Sequence, residues 1–272
     1  TNLTSVQLAA LTTAQVAKME TKDLVAITTD QITSLTTAQM AALTTDQIVA
    51  LTTDQVATLT TNQLASLTTA QLANLTTTQM GAIKATQVVG IETADLVTLT
   101  TEKLGALTTA AVVGLTTAQV ASLTTDQIVG LTASQTSVLT TDQVVALTTT
   151  QAAKLSTSSA AALTATQVAV LQTADLVKLS TDAIAALSST AVSALTTSQI
   201  AALTTAQAVA LTTDQIKQLG TAQVVALTTA QAAALTSDQV SVMSATQVSK
   251  LETADLAKLS TAAVAALSRS EE

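Results

Sequence analysis

The 272-residue chain carries a formal net charge of −8 with only 10 Lys and Arg residues, and it contains no His, Cys, Pro, Phe, Tyr or Trp. A nucleic-acid-binding protein needs a basic surface to neutralise phosphates, and usually aromatic side chains on which bases stack. The longest uninterrupted apolar run has six residues, at 262–267, whereas a membrane-spanning helix needs about 20. We therefore expect neither nucleic-acid binding nor membrane insertion.

A large aliphatic residue recurs every eight residues from Leu3 to Leu267, at thirty-four places without an insertion or deletion. We number each octad from this residue as position 1, so that the octad beginning at Leu43 reads LTTDQIVA. A constant period means that every octad forms the same unit and that the units stack. We predict a single octapeptide-repeat solenoid over residues 1–272, although the sequence does not give the number of octads per coil.

Each octad carries the signals of a short helix. Thr at position 2 and Gln at position 5 match a capping box, in which the hydroxyl and the side-chain amide each bond a free backbone N–H at the start of a helix. Asp at position 4 suits the positive end of the helix dipole. The predicted caps in two consecutive octads are Thr44 with Gln47 and Thr52 with Gln55. The predicted core residues at positions 1 and 6 are Leu43, Ile48, Leu51, Val56 and Leu59.

Two other folds fit the octad less well. In one continuous helix, eight residues turn through about 800°, so the apolar stripe would drift by about 80° per octad and face no single partner. In a β-solenoid, positions 6, 8 and 1 would mix the two faces of a strand, and Ala and Gln are poor strand formers. The sequence therefore favours an all-α solenoid of short helices, one per octad, with a β-solenoid as the alternative.

Glycine recurs at position 8, at Gly90, Gly114 and Gly130. Because a helix would end there, we predict that these residues adopt a positive φ, which glycine tolerates best.

A longer period overlies the octads. Related octads begin at Ile91, Leu171 and Leu251, eighty residues apart, and in them Asp replaces Gln at position 5. One interpretation is duplication of a ten-octad block. The other is a specialised coil that forms lateral salt bridges or binds a cation, with the candidate metal ligands Asp95, Asp175 and Asp255.

The octads LTTAQVAS and LTTDQIVG resemble the LTxxQ repeats of very large bacterial surface and secreted proteins, which are often labelled adhesins or heme-utilisation and adhesion proteins. The resemblance covers essentially the whole chain and implies an extracellular or cell-surface structural segment. It departs from relatives that carry Pro at position 3, where Thr is usual in this chain. The heme label has no support here, because the chain has no His, Cys or Tyr.

No catalytic or cofactor-binding constellation is visible. The many Ser and Thr residues have no histidine base, and no calcium loop or glycine-rich phosphate loop occurs. We therefore expect no enzyme, no cofactor and no specific metal site.

Three functions remain. The first is a structural rod, either an adhesin stalk or a protomer of an extracellular biofilm filament, with the chain itself as its partner through end-to-end or lateral contacts. The second is ice binding by ranked Thr, against which we weigh the capping role of the hydroxyls and the charge at position 4. The third is a scaffold that binds a protein or glycan of unknown identity. The charged segment at residues 268–272 is a candidate stop to the array, or simply the place where a fragment ends.

Overall fold

A computed structural model describes residues 3–269 of the chain. Residues 270–272 of the candidate stop lie outside this range. The described residues form short helices joined by turns, with no β-strand among them, so the prediction of an all-α solenoid with one helix per octad is confirmed. The β-solenoid alternative is wrong. Within residues 3–269, none of the helices combines the length and the apolar character that crossing a bilayer requires.

The octad determines both ends of each helix. In the octad that supplies α6 (Thr45–Ala50), the N-cap Thr44 has φ −73° and ψ 160°, and the C-cap Leu51 has φ −56° and ψ 137°. Both residues are extended rather than helical. Leu51 is also position 1 of the next octad, and Thr52 is the next N-cap. A Leu-Thr pair therefore ends one helix, reverses the chain and begins the next helix.

The chain divides into two compact units, Thr1–Leu131 and Thr132–Glu272. The described helices of the first unit are α1 (Ser5–Ala9), α2 (Thr13–Ala17), α3 (Thr21–Ala26), α4 (Thr29–Thr33), α5 (Thr37–Ala42), α6 (Thr45–Ala50), α7 (Thr53–Thr58), α8 (Thr61–Ala65), α9 (Thr69–Asn74), α10 (Thr77–Ala82), α11 (Ala85–Val88), α12 (Thr93–Leu96), α13 (Thr101–Gly105), α14 (Thr109–Gly114), α15 (Thr117–Ser122) and α16 (Thr125–Val129).

The described helices of the second unit are α17 (Ala133–Ser137), α18 (Thr141–Val145), α19 (Thr149–Ala152), α20 (Thr157–Ala162), α21 (Ala165–Val170), α22 (Thr173–Leu176), α23 (Thr181–Ala186), α24 (Ser189–Ser193), α25 (Thr197–Ala202), α26 (Thr205–Ala210), α27 (Thr213–Gln218), α28 (Thr221–Val225), α29 (Thr229–Ala234), α30 (Ser237–Ser241), α31 (Ala245–Val248), α32 (Thr253–Leu256) and α33 (Thr261–Arg269).

Three octads make one coil. Within each unit a helix packs against the helix three places along the chain, as α3 does against α6 and α24 against α27. A coil is therefore 24 residues long, and each unit has three sides, each built from every third helix. Isolated helices of four to nine residues are not stable in water, so this packing between coils must hold them.

The core is a column of aliphatic side chains from positions 1 and 6. The side chains of Ile48 and Val56 are fully buried, and those of Leu43, Leu51 and Leu59 are only 3–4% exposed. Position 6 lies in the middle of each helix and position 1 in the bend that follows it, so both project into the space that the three sides enclose.

The glycines at position 8 serve a different purpose from the one predicted. The described glycines all have negative φ, and the prediction of a positive φ is therefore wrong. A Cβ added to Gly114 would lie 2.5 Å from the carbonyl oxygen of Ala85, and one added to Gly130 would lie 2.7 Å from the Cβ of Thr101. Position 8 thus packs against the start of the helix one coil earlier, and glycine permits the close approach of the two backbones.

We expect Gly114→Ala to destabilise the chain by about 1–3 kcal/mol, because the added methyl group must push two backbones apart. Gly105→Ala is the matched control, since a Cβ there would meet its nearest atom, the carbonyl oxygen of Gly130, at an ordinary 3.6 Å. The control should be neutral or stabilising by up to about 1 kcal/mol, because Ala restricts the unfolded chain. Urea denaturation would measure both. Equal stability of the two variants would contradict the close-approach explanation.

Candidate functional site

The capping boxes lie at the start of most described helices. The backbone N–H of Gln47 donates to Thr44 Oγ1 at 3.2 Å, and the backbone N–H of Thr44 donates to Gln47 Oε1 at 2.8 Å. The corresponding distances for Thr52 and Gln55 are 3.1 and 2.9 Å. Each pair satisfies two of the backbone N–H groups that a helix start leaves free.

The same glutamine also bonds the preceding coil. Gln47 Nε2 donates to the carbonyl oxygen of Val16 at 3.0 Å and to that of Met19 at 2.7 Å, 31 and 28 residues earlier. We call this pair of bonds a rung. Within the units, complete rungs are made by Gln39, Gln47, Gln55, Gln63, Gln71, Gln79, Gln87, Gln119, Gln127, Gln167, Gln199, Gln207, Gln215, Gln223, Gln231, Gln239 and Gln247.

A rung is buried and fully bonded. Gln47 is 2% exposed, its oxygen accepts from its own helix start, and its nitrogen donates to the coil before it. One of the two carbonyl groups belongs to position 6 and the other to position 1. Position 1 lies beyond the end of the helix, so its carbonyl oxygen has no N–H donor within the helix. Each net hydrogen bond contributes about 0.5–1.5 kcal/mol, so a rung contributes roughly 1–3 kcal/mol.

Sequence reasoning found the cap but missed the rung. A signal was present, because position 5 is Gln in twenty-three octads and is never Glu between Gln7 and Gln247. Glu serves equally well in a capping box and better suits the helix dipole. The exclusion of Glu indicates that position 5 must also donate a hydrogen bond.

The octads of the eighty-residue period lack both features. Their position 2 is Glu92, Gln172 or Glu252, and none of these caps its helix through the side chain. Asp at position 5 is too short to form a rung and, when ionised, has no proton to donate. Asp95 is half-buried and its Oδ1 accepts from Thr69 Oγ1 at 2.5 Å. Asp175 and Asp255 are 3% and 2% exposed.

These aspartates do not come together. Ten octads equal three coils and one further helix, so within the second unit Asp175 on α22 and Asp255 on α32 lie on different sides. No group of three or more acidic side chains suited to a metal ion occurs among residues 3–269. The ion pairs found in that range, Lys22 with Glu20 and Lys217 with Asp214, are exposed and local to one octad.

The three-fold coil also sorts the exposed residues of the first unit by side. The acidic side, made of α4, α7, α10, α13 and α16, carries exposed carboxylates at position 4, namely Asp30, Asp54, Glu102 and Asp126. The valine side, which includes α3, α6 and α12, carries exposed valines at position 7, namely Val25, Val49 and Val97, and the other two sides expose Val89, Val113 and Val129 at the same position. The sequence places these residues 24 or 48 apart, and only the coil shows that they form columns.

The neutral side of the first unit consists of α2, α5, α8, α11 and α14. Its outward residues at positions 3 and 4 carry no charge and are Thr13, Ala14, Thr37, Ala38, Thr61, Asn62, Ala85, Thr86, Thr109 and Ala110. Capping uses the hydroxyl of position 2, as in Thr12 and Thr36, so the hydroxyl of position 3 is not needed for capping. That of Thr61 donates instead to the carbonyl oxygen of Thr86 in the next coil at 2.9 Å. The sequence-based argument that capping occupies the threonine ranks therefore holds for position 2 alone.

We expect Gln71→Ala to lower the free energy of unfolding by about 1–3 kcal/mol, because Met40 and Leu43 lose their amide donor at 3.0 and 2.6 Å. Gln71→Glu should cost more at pH 7, where a carboxylate would face those two carbonyl oxygens. Such a group has a raised pKa in the folded chain, so its deficit should be smallest below the unfolded value of about 4.3 and grow as pH rises through the folded value.

Urea denaturation at pH 4 and pH 7 would measure these effects. Ala70→Glu is the matched control, since Ala70 is exposed and the same charge there faces no carbonyl. It should change stability by less than about 0.5 kcal/mol. If Gln71→Glu were as stable as the unaltered chain at pH 7, the rung would not be a stabilising interaction.

Burial raises the pKa of the Asp175 carboxyl above its usual value. The folded state therefore favours the protonated form, and the associated stability is present below the unfolded pKa and is lost as pH rises through the folded pKa. Asp175→Gln should stabilise the chain by about 1–2 kcal/mol at pH 7, because it removes a buried charge and allows a rung, and by less at low pH. The exposed Asp182→Asn is the control, and a pH-independent difference between the two variants would contradict this explanation.

The family described as ALTTAQ repeat matches the chain six times, over residues 16–53, 50–85, 88–125, 168–205, 194–221 and 208–245. These matches together span more than half of the sequence. No curated protein matches the chain. The matched segments consist of the same octads as the rest of the chain. The chain therefore belongs to the ALTTAQ repeat family, as a repeat-based helical scaffold.

Proposed function

We propose that this chain is a non-enzymatic structural protein at a bacterial cell surface or in the extracellular matrix, where it serves as a stalk or as the protomer of a filament. The observation that supports this proposal most directly is the direction of the rungs. Every complete rung donates from a later coil to an earlier one, so each coil offers amide donors on one face and carbonyl acceptors on the other. Coils can be added in register without any new kind of contact.

The same complementarity extends to the two ends of the described chain. Gln15 is exposed, its oxygen caps its own helix, and its Nε2 meets no acceptor in the described chain. At the other end, the carbonyl oxygen of Leu251 receives no hydrogen bond from residues 3–269. A further coil placed against either end, from the same polypeptide or from a second copy, would bring amide donors such as that of Gln15 to carbonyl acceptors such as that of Leu251. The chemistry of the rungs thus supports self-association along the solenoid axis.

Assembly of the purified chain tests the filament form of this proposal. Negative-stain microscopy and sedimentation over a range of concentrations should show end-to-end assemblies. Gln15→Glu should weaken them, because it replaces the donor by a carboxylate that repels carbonyl oxygens. Ala14→Glu adds the same charge at a neighbouring exposed position and should leave assembly intact. Monodisperse particles at all concentrations would contradict the filament form of the proposal, and the stalk form would remain.

Ice binding is a second candidate, because positions 3 and 4 of the neutral side carry no charge and present threonine hydroxyl and methyl groups that capping does not occupy, although Lys18 and Lys84 are exposed on the same side. The expected result is thermal hysteresis that falls when Thr37 is replaced by Lys. Thr29→Lys, on the acidic side, is the control and should have little effect. Absence of thermal hysteresis at high protein concentration would end this hypothesis.

A further inference from the structure

The rungs are missing from one whole coil in every eighty residues. Since three octads make a coil, three consecutive octads without Gln remove a complete ring of rungs. This occurs at residues 91–114, where position 5 is Asp95, Lys103 and Ala111, and at residues 171–194, where it is Asp175, Ala183 and Ala191. The next such coil begins at Leu251 with Asp255 and Ala263. We call these segments the gap coils.

The gap coils lose specific bonds to the coil before them. In the described second unit, no hydrogen bond reaches the carbonyl oxygens of Leu147, Leu155 and Leu163, which rungs from the gap coil at 171–194 would otherwise bond. In the first gap coil, Lys103 Nζ donates to the carbonyl oxygen of Ala73, which replaces one rung in part. The coil that follows the second gap coil differs, since Gln199, Gln207 and Gln215 all make complete rungs.

Contacts between small side chains take the place of the rungs. Ala111, Ala183 and Ala191 are fully buried, and the backbones of α11 and α14 approach closely at Gly114. Such contacts are non-directional, whereas each rung ties one amide to two particular carbonyls across the coil boundary. The interface in front of a gap coil is therefore held mainly by apolar contact. Single hydrogen bonds, from Lys103 to Ala73, from Thr69 to Asp95 and from Gln172 Nε2 to the carbonyl oxygen of Val145, stand in place of a complete ring of rungs.

We infer that the gap coils divide the solenoid into modules that open separately, with the interface in front of each gap coil as the point of opening. In a repeat array, stability is a sum of repeat terms and nearest-neighbour interface terms, so a boundary with a weaker interface term opens first. The eighty-residue period then sets the length of a module. This inference concerns the opening of the folded chain and holds whether or not the chain forms a stalk or filament.

Native-state hydrogen exchange of the full chain at low urea concentrations tests the inference. In the second unit, the amides of residues 132–170 and those of 195–250 should exchange through two opening events with different urea dependences, and the boundary should lie within 171–194. Exchange through a single event across 132–250, or a boundary elsewhere, would overturn the proposal. The proposal would also be overturned if the interface in front of residues 171–194 were the part of the unit most protected from hydrogen exchange.

Variants test whether the missing rungs cause the opening boundary at 171–194. Asp175→Gln restores one rung and should slow the opening at 171–194 by about threefold to tenfold, whereas the control Asp182→Asn should not change it. Replacing Gln199, Gln207 and Gln215 together by Ala removes the rungs of the following coil as well. This triple variant should move the boundary toward 195–218. If Asp175→Gln left the opening rate unchanged, the missing rungs would not define the modules, whatever the behaviour of the triple variant.

Discussion

The whole architecture depends on one side-chain amide used twice. The oxygen of each rung glutamine completes the start of its own helix, and the nitrogen of the same group bonds two backbone carbonyls of the preceding coil. A helix of four to six residues has no independent stability, and the solenoid has no aromatic core to compensate. The amide solves both problems because it links local capping to packing between coils. It also places a polar group in the interior without leaving it unbonded.

The rung explains why the repeat tolerates no insertion. A donor must meet acceptors 28 and 31 residues earlier, so one extra residue in any octad would displace the amides of the coil that follows from their carbonyls. Aliphatic residues at positions 1 and 6 can exchange with one another because apolar contact is not directional, and Met40 and Ile48 fill equivalent core positions. Where the amide is absent, as at Ala183, the core remains buried but the directional bond is lost.

Three helices per coil turn a one-dimensional repeat into a surface with distinct sides. In the first unit, carboxylates that are 24 residues apart in sequence form a column on one side, and valines form a column on another. The neutral side has no carboxylate at position 4, although it exposes Val89 and Val113. Each side can therefore meet a different surface, although all three are built from the same octad. The eighty-residue period is not a multiple of the coil, and for that reason the aspartates of successive blocks face different sides within a unit.

The sequence by itself determined the local structure. The period of eight, the Thr and Gln spacing and the constant aliphatic position were sufficient to predict a short helix in every octad, because capping and helix length depend on neighbouring residues. The buried positions of Ile48 and Val56 and the caps at Thr44 and Thr52 follow from the same local pattern.

Only the tertiary structure decided how the octads are joined. The number of octads per coil depends on how side chains from residues 24 apart fit together, and no local pattern encodes it. The same is true of the negative φ at Gly130, which is glycine because a neighbouring backbone lies close to it and not because the chain turns left-handed. The second bond of each glutamine, the missing ring of rungs around Asp175 and the three chemically different sides all arise from contacts between coils. A repeat sequence displays its unit plainly, but what one unit does for the next becomes visible only when the coils are stacked.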